Sequence, residues 1–124
     1  MGEFVICDRF IDSTVAYQGY GRGLKIAYLD KLNMIATDGI QPDITFILDI
    51  HPTEAVHRIG IDRGDRMESM GQEFFSKVRE GYYQIAERFP NRCIIINAKQ
   101  PIRDVFRLVS KHIDEKLFKE IICS

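Results

Sequence analysis

Three short apolar runs constrain this chain's fold more than anything else in it: FVIC at residues 4–7, ITFILDI at 44–50 and CIIIN at 93–97. None alternates apolar with polar residues, so each is predicted to be a strand covered on both faces. Helical patterns separate them. Residues 25–37 carry Ile26, Leu29, Leu32 and Ala36 at helical spacing and stop at Asp38-Gly39. Pro52 suits the first turn of a short helix reaching about Ile61. Residues 71–89 set Phe74, Phe75, Val78, Tyr82, Ile85, Ala86 and Phe89 on one face, and 101–117 do the same with Ile102, Val105, Phe106, Val109 and Ile113. Alternating strands and helices predict an α/β domain with a parallel sheet and right-handed crossovers. The length, 124 residues, suits one core.

Ligands of such sheets bind beyond the carboxyl ends of the strands. Those ends are Asp8-Arg9, Asp49-Ile50-His51 and Asn97-Ala98-Lys99, and the first and third are the more polar. A strand-end carboxylate can hold a metal ion, directly or through water, beside phosphates. A neighbouring arginine can grip phosphate oxygens bidentately. The competing reading of Asp8-Arg9 is an internal ion pair that closes the strand. After it, Ser13 and Thr14 can cap or donate, Tyr17 can stack on a base or line a sugar, and Gln18 offers donor and acceptor. Gly19, Gly21 and Gly23 permit close backbone approach or positive φ. Taken singly, each fits ordinary packing or a loop between helices.

Seventeen basic residues nearly balance 18 acidic ones, which argues against a nucleic-acid or anionic-membrane binder. The three cysteines, Cys7, Cys93 and Cys123, form no C-x-x-C pair, so neither a zinc site nor a disulfide framework is expected. Cys7 and Cys93 sit in apolar runs as small hydrophobes, which fits a reducing cytoplasm. No stretch has the roughly 18 apolar residues of a membrane span, and no signal peptide is expected. Three strands make a narrow sheet with two long edges. Either another chain covers an edge or amino-terminal strands lie outside this sequence.

As a string, CDRFIDSTVAYQGYGRGL closely resembles a segment of the bacterial thymidylate kinases. PDITFILDIHPTEAVHRI resembles a strand and helix of that family, and RGDRMES resembles its LID. EFFSKVREGYYQIAERFPNRCIIINAKQPIRDV continues the likeness, which runs from about Val5 to Val109. The resemblance implies a P-loop nucleoside-monophosphate-kinase-like parallel sheet with flanking helices. It also implies that residues 1–124 are the carboxyl-terminal part of one such domain, missing its amino-terminal strands, with the LID at about 58–71. The family transfers the γ-phosphoryl of ATP to dTMP with Mg²⁺ and is homodimeric.

By resemblance, Arg9 holds the dTMP phosphate and Asp8 lies near Mg²⁺, through water. Ser13 and Thr14 face the base, Tyr17 the deoxyribose, and Gln18 stands behind them. Arg63 and Arg66 are catalytic LID positions. Arg58 and Glu68 belong to the ATP and LID side, with Ala98 and Lys99 near adenine. Asn97 departs from the family's usual Asp. The sequence has no G-x-x-x-x-G-K-S/T, so nothing in it cradles ATP phosphates. In the family fold the P-loop strand lies between those matching 4–7 and 44–50, so its loss leaves a gap of about 10 Å. The expectation is therefore a chain that does not turn over alone. The alternatives are a non-catalytic nucleotide-binding fragment that needs a separate P-loop polypeptide, or a kinase for another nucleoside monophosphate.

Overall fold

Two parallel strands, β1 (Thr45–Asp49) and β2 (Cys93–Asn97), pair in register from Thr45 with Cys93 to Asp49 with Asn97. The structure is a computed structural model that describes residues 2–59 and 64–118, without the side chains of 55, 56, 58, 59 and 64–70. Both strands fall within the β-branched runs expected to form them. In chain order the helices are α1 (Ile11–Thr14), α2 (Ile26–Thr37), α3 (Pro52–Ile59), α4 (Gly64–Arg88) and α5 (Ile102–Ile113). Wide, π-type turns continue α1 through Val15–Gly21 and α5 through Asp114–Phe118.

The core lies where the Val15–Gly21 segment, α2 and α4 meet one face of the sheet. Val15, Ala16, Leu29, Ile47, Val78, Ile85 and Cys93 are buried there. Phe74, Tyr82, Ala86 and Phe89 of α4 pack against them, so the predicted apolar face of α4 is its core face. Helix α2 ends as its sequence dictates: Asp38 and Gly39 both take left-handed φ, 55° and 77°, and the Gly39 N–H returns to the Met34 carbonyl at 3.0 Å. Gly81 sets how closely α4 approaches the π-type segment. A β-carbon there would lie 2.6 Å from Cβ of Tyr20, closer than real contacts allow.

Arg92 and Asp12 tie the amino-terminal helix to the sheet. Two hydrogen bonds of 2.6 and 2.9 Å join them, and their side chains are only 11% and 10% exposed. Arg92 Nη1 also donates to Thr45 Oγ1 at 2.9 Å, and its guanidinium lies 4.4 Å from the centre of the Phe89 ring. One bidentate pair, a hydroxyl acceptor and a ring face offset part of the desolvation of that charge, while the buried Arg92 Nε has no hydrogen-bond partner among the described residues.

Four expectations are corrected. Residues 4–7 are not a strand: Val5 and Ile6 are 80% and 94% exposed, and Cys7 is exposed rather than packed. A strand needs a ladder partner, and among the described residues none lies beside this run. Of the two readings of the glycine-bearing stretch, the loop gives way to a helical segment through Gly21, and close approach holds: a β-carbon on Gly19 or Gly21 would strike the Ile26 or Phe74 side chain. Leu32 and Ala36 of α2 are exposed, and only Leu29 is buried. Ile102 and Phe106 stand 86% and 70% exposed, since among the described residues nothing covers that face of α5.

Candidate functional site

At residue 9 the chain takes a left-handed turn, with φ 64°, unusual for a side chain as large as arginine. Such backbone persists only where the surroundings fix it, and here they can be named. The Arg9 guanidinium lies over the Tyr17 ring, 4.6 Å from its centre. Its Nε–H donates to Ser13 Oγ, one helical turn on, at 3.3 Å. Ser13 Oγ in turn shares a hydrogen bond of 3.0 Å with the Tyr82 hydroxyl from α4. Tyr17 meets Tyr82 edge-on at 6.5 Å and Phe74 at 6.0 Å. The result is a wall of three rings carrying one exposed guanidinium. Among the described residues Arg9 makes no ion pair, and neither of its Nη groups makes a hydrogen bond.

The competing reading of Asp8-Arg9 fails on this geometry, because the two side chains form no salt bridge. Asp8 is exposed in the bend just before Arg9. Thr14 is exposed and Gln18 half-buried, with no side-chain hydrogen bond among the described residues. Of the predicted residues the structure brings together Arg9, Ser13 and Tyr17. Ala98 and Lys99 lie in the turn after β2, which the Asn97 side chain helps to close. Its Oδ1 accepts the Lys99 N–H at 2.9 Å, and the Ala98 N–H donates to the Asp49 carbonyl at 2.8 Å. Among the described residues no hydrogen bond links this turn to the Arg9 group. Arg63, and the side chains of Arg58, Arg66 and Glu68, lie outside the described residues.

Sequence reasoning missed Tyr82, read as core, and a second polar group. Asp49, at the carboxyl end of β1, accepts from Arg79 Nε and Nη2 at 2.8 and 3.2 Å and from the Tyr83 hydroxyl. The Arg79 hydrogen bond holds the Asp49 carboxyl below the usual carboxylate range, and the bond to Asp49 pushes the Tyr83 phenol up. The signal available was R-x-x-x-Y on one helix, which puts both donors on one face toward a strand-end acid. A separate groove of about 520 Å³ between α2 and the end of α4 is lined by Asp12, Asp30, Arg88 and Arg92. Arg88 pairs with Asp30 at 2.9 Å and Arg92 with Asp12, so its charges already answer one another.

Residues 1–109 match the family described as thymidylate kinase. Thymidylate kinase of Bacillus mycoides is 44% identical over 116 residues, which are 91% of this chain and 56% of that protein. The thymidylate kinase of Caldanaerobacter subterraneus is 46% identical over 116 residues, 94% of this chain and again 56% of the relative. The chain thus spans about half the length of the curated relatives it matches. A crystal structure of thymidylate kinase from Ehrlichia chaffeensis aligns with a TM-score of 0.54 and 43% identity, over 73% of this chain and 40% of that one.

Proposed function

We propose, for a chain that belongs to the thymidylate kinase family, that it supplies the dTMP-phosphate and LID half of a site transferring the γ-phosphoryl of ATP to dTMP. One observation carries this reading: Arg9 is held by Ser13 at Nε and by the Tyr17 ring, and its two Nη groups have no partner among the described residues. A planar fork in that setting suits two oxygens of a phosphate. Tyr17 offers the deoxyribose a ring, with Ser13, Thr14 and Gln18 on the base side. Arg63 and Arg66, supported by Arg58 and Glu68, come over the transferring group, where charge spreads over the equatorial oxygens. Ala98 and Lys99 form the adenine side.

Magnesium fits the donor set. Mg²⁺ is commonly held by one or two carboxylates with substrate phosphates and several waters, and Asp8 is an exposed carboxylate with no ion pair among the described residues. When bound, the ion neutralises charge on the phosphates; Asp8 would hold it through water. The phosphate cradle for ATP is contributed by residues outside these 124, which contain no P-loop string. The chain alone is therefore inactive, and the complete enzyme is a homodimer in the cytoplasm. No helix among the described residues is long and apolar enough to cross a membrane.

The test is coupled ADP release with dTMP and ATP, for the chain alone and after mixing with the amino-terminal half of a relative. Activity only in the mixture supports the reading. Robust turnover by the chain alone refutes the division of labour, and a preference for dUMP, dCMP or AMP refutes the substrate. The missing P-loop string favours one second reading: a non-catalytic piece that binds dTMP once a P-loop polypeptide joins it. Calorimetric binding without turnover in the mixture would establish that.

A further inference from the structure

We propose that Tyr82 is a positioning residue that sets the direction of the Arg9 fork through the Ser13 hydroxyl. The proposal rests on the reading of Arg9 as the phosphate-holding group and adds what aims it. The Arg9 Nε–H can only donate, so Ser13 Oγ is the acceptor at 3.3 Å. That leaves Ser13 one proton and one lone pair, and Tyr82 Oη meets them at 3.0 Å from the other side. A hydroxyl bonded on both sides cannot rotate freely. Without such partners a helical serine can turn its hydroxyl to a backbone carbonyl three or four residues back. With Tyr82 absent, that turn would release Nε and leave the guanidinium free to swing about its long stem.

Tyr82 supports Arg9 twice. Its hydroxyl fixes Ser13, and its ring stands edge-on, at 84°, against the Tyr17 ring over which the guanidinium lies. Burial pushes the Tyr82 phenol up, so the hydroxyl keeps its proton across the neutral range. The contact spans 69 residues and joins α4 to α1, so it depends on the tertiary fold.

The test follows the Arg9 Nε–H resonance of the full chain by NMR at mildly acidic pH, with inorganic phosphate as probe. In Tyr82→Phe, exchange of that proton with water should quicken about fivefold, the scale of one lost hydrogen bond. Ser13→Ala should quicken it at least as much, and Ser13→Thr, which keeps the hydroxyl, should restore slow exchange. Adding Tyr82→Phe to Ser13→Ala should change nothing further, because the effect runs through Ser13. Unchanged exchange in Tyr82→Phe, or additive effects in the pair, would overturn the proposal. Backbone amide spectra confirm that each variant folds. Phosphate should shift the Arg9 signal, about fivefold more weakly in Tyr82→Phe. If phosphate leaves Arg9 unmoved in the unchanged chain while exchange behaves as expected, the aiming stands and the phosphate reading falls.

Discussion

Asp8 and Asp49 invite comparison because in the sequence each directly follows an apolar, β-branched stretch. Their fates are opposite. Asp49 closes a paired strand, and Arg79 and Tyr83 converge on it from α4. Asp8 follows a run with no ladder partner among the described residues, and its neighbour Arg9 turns away toward Ser13 and Tyr17. Asp49 is thus tied into the fold by a helix that brings it a base, while Asp8 stays exposed with no ion pair among the described residues.

The largest effect that could break this contrast is kinetic. With the chain complemented by the amino-terminal half of a relative, Arg9→Ala should lower kcat/KM for dTMP by about 10²–10³-fold. Asp49→Asn should lower it less than about tenfold in the same coupled assay. Next comes stability. Asp49→Asn leaves Arg79 without its carboxylate and should cost about 2 kcal/mol by urea unfolding, between the values for exposed and buried pairs. Asp8→Asn should stay within about 0.5 kcal/mol.

Smaller still is the acid dependence. The folded carboxyl of Asp49 titrates below its unfolded value near 3.8, so the native state binds fewer protons there. Its contribution is fully present above that value and disappears as pH falls through the folded pKa. The unfolding midpoints of the native chain and Asp49→Asn should therefore converge in acid. If the gap stays constant, Asp49 acts by shape rather than charge. The smallest effect sharpens the other side: Ile6→Thr should change stability by less than about 0.5 kcal/mol, since Ile6 is already in water.

What was legible in the sequence followed local rules. The ends of α2, the apolar face of α4 and the two paired strands all follow from spacing and turn chemistry. The string around Arg9 located the wall of the candidate site. The run at 4–7 misled because β-branched composition marks a segment able to pair and says nothing of whether a partner stands beside it. Tyr82 was hidden for another reason. Its ring obeys the helical period and belongs to the core, while its hydroxyl serves a residue 69 positions earlier. Periodicity reports where a side chain's bulk goes and is blind to its polar tip. Asp12 and Arg92, 80 residues apart, were invisible for the same want of local signal.

The bare backbone at position 81 has a consequence for engineering. One methyl there would act as a shim between Tyr20 and the long helix, and the next residue along carries the hydroxyl that steadies Ser13. Gly81→Ala is thus a handle for detuning the guanidinium from behind, with every group that faces the ligand left chemically intact.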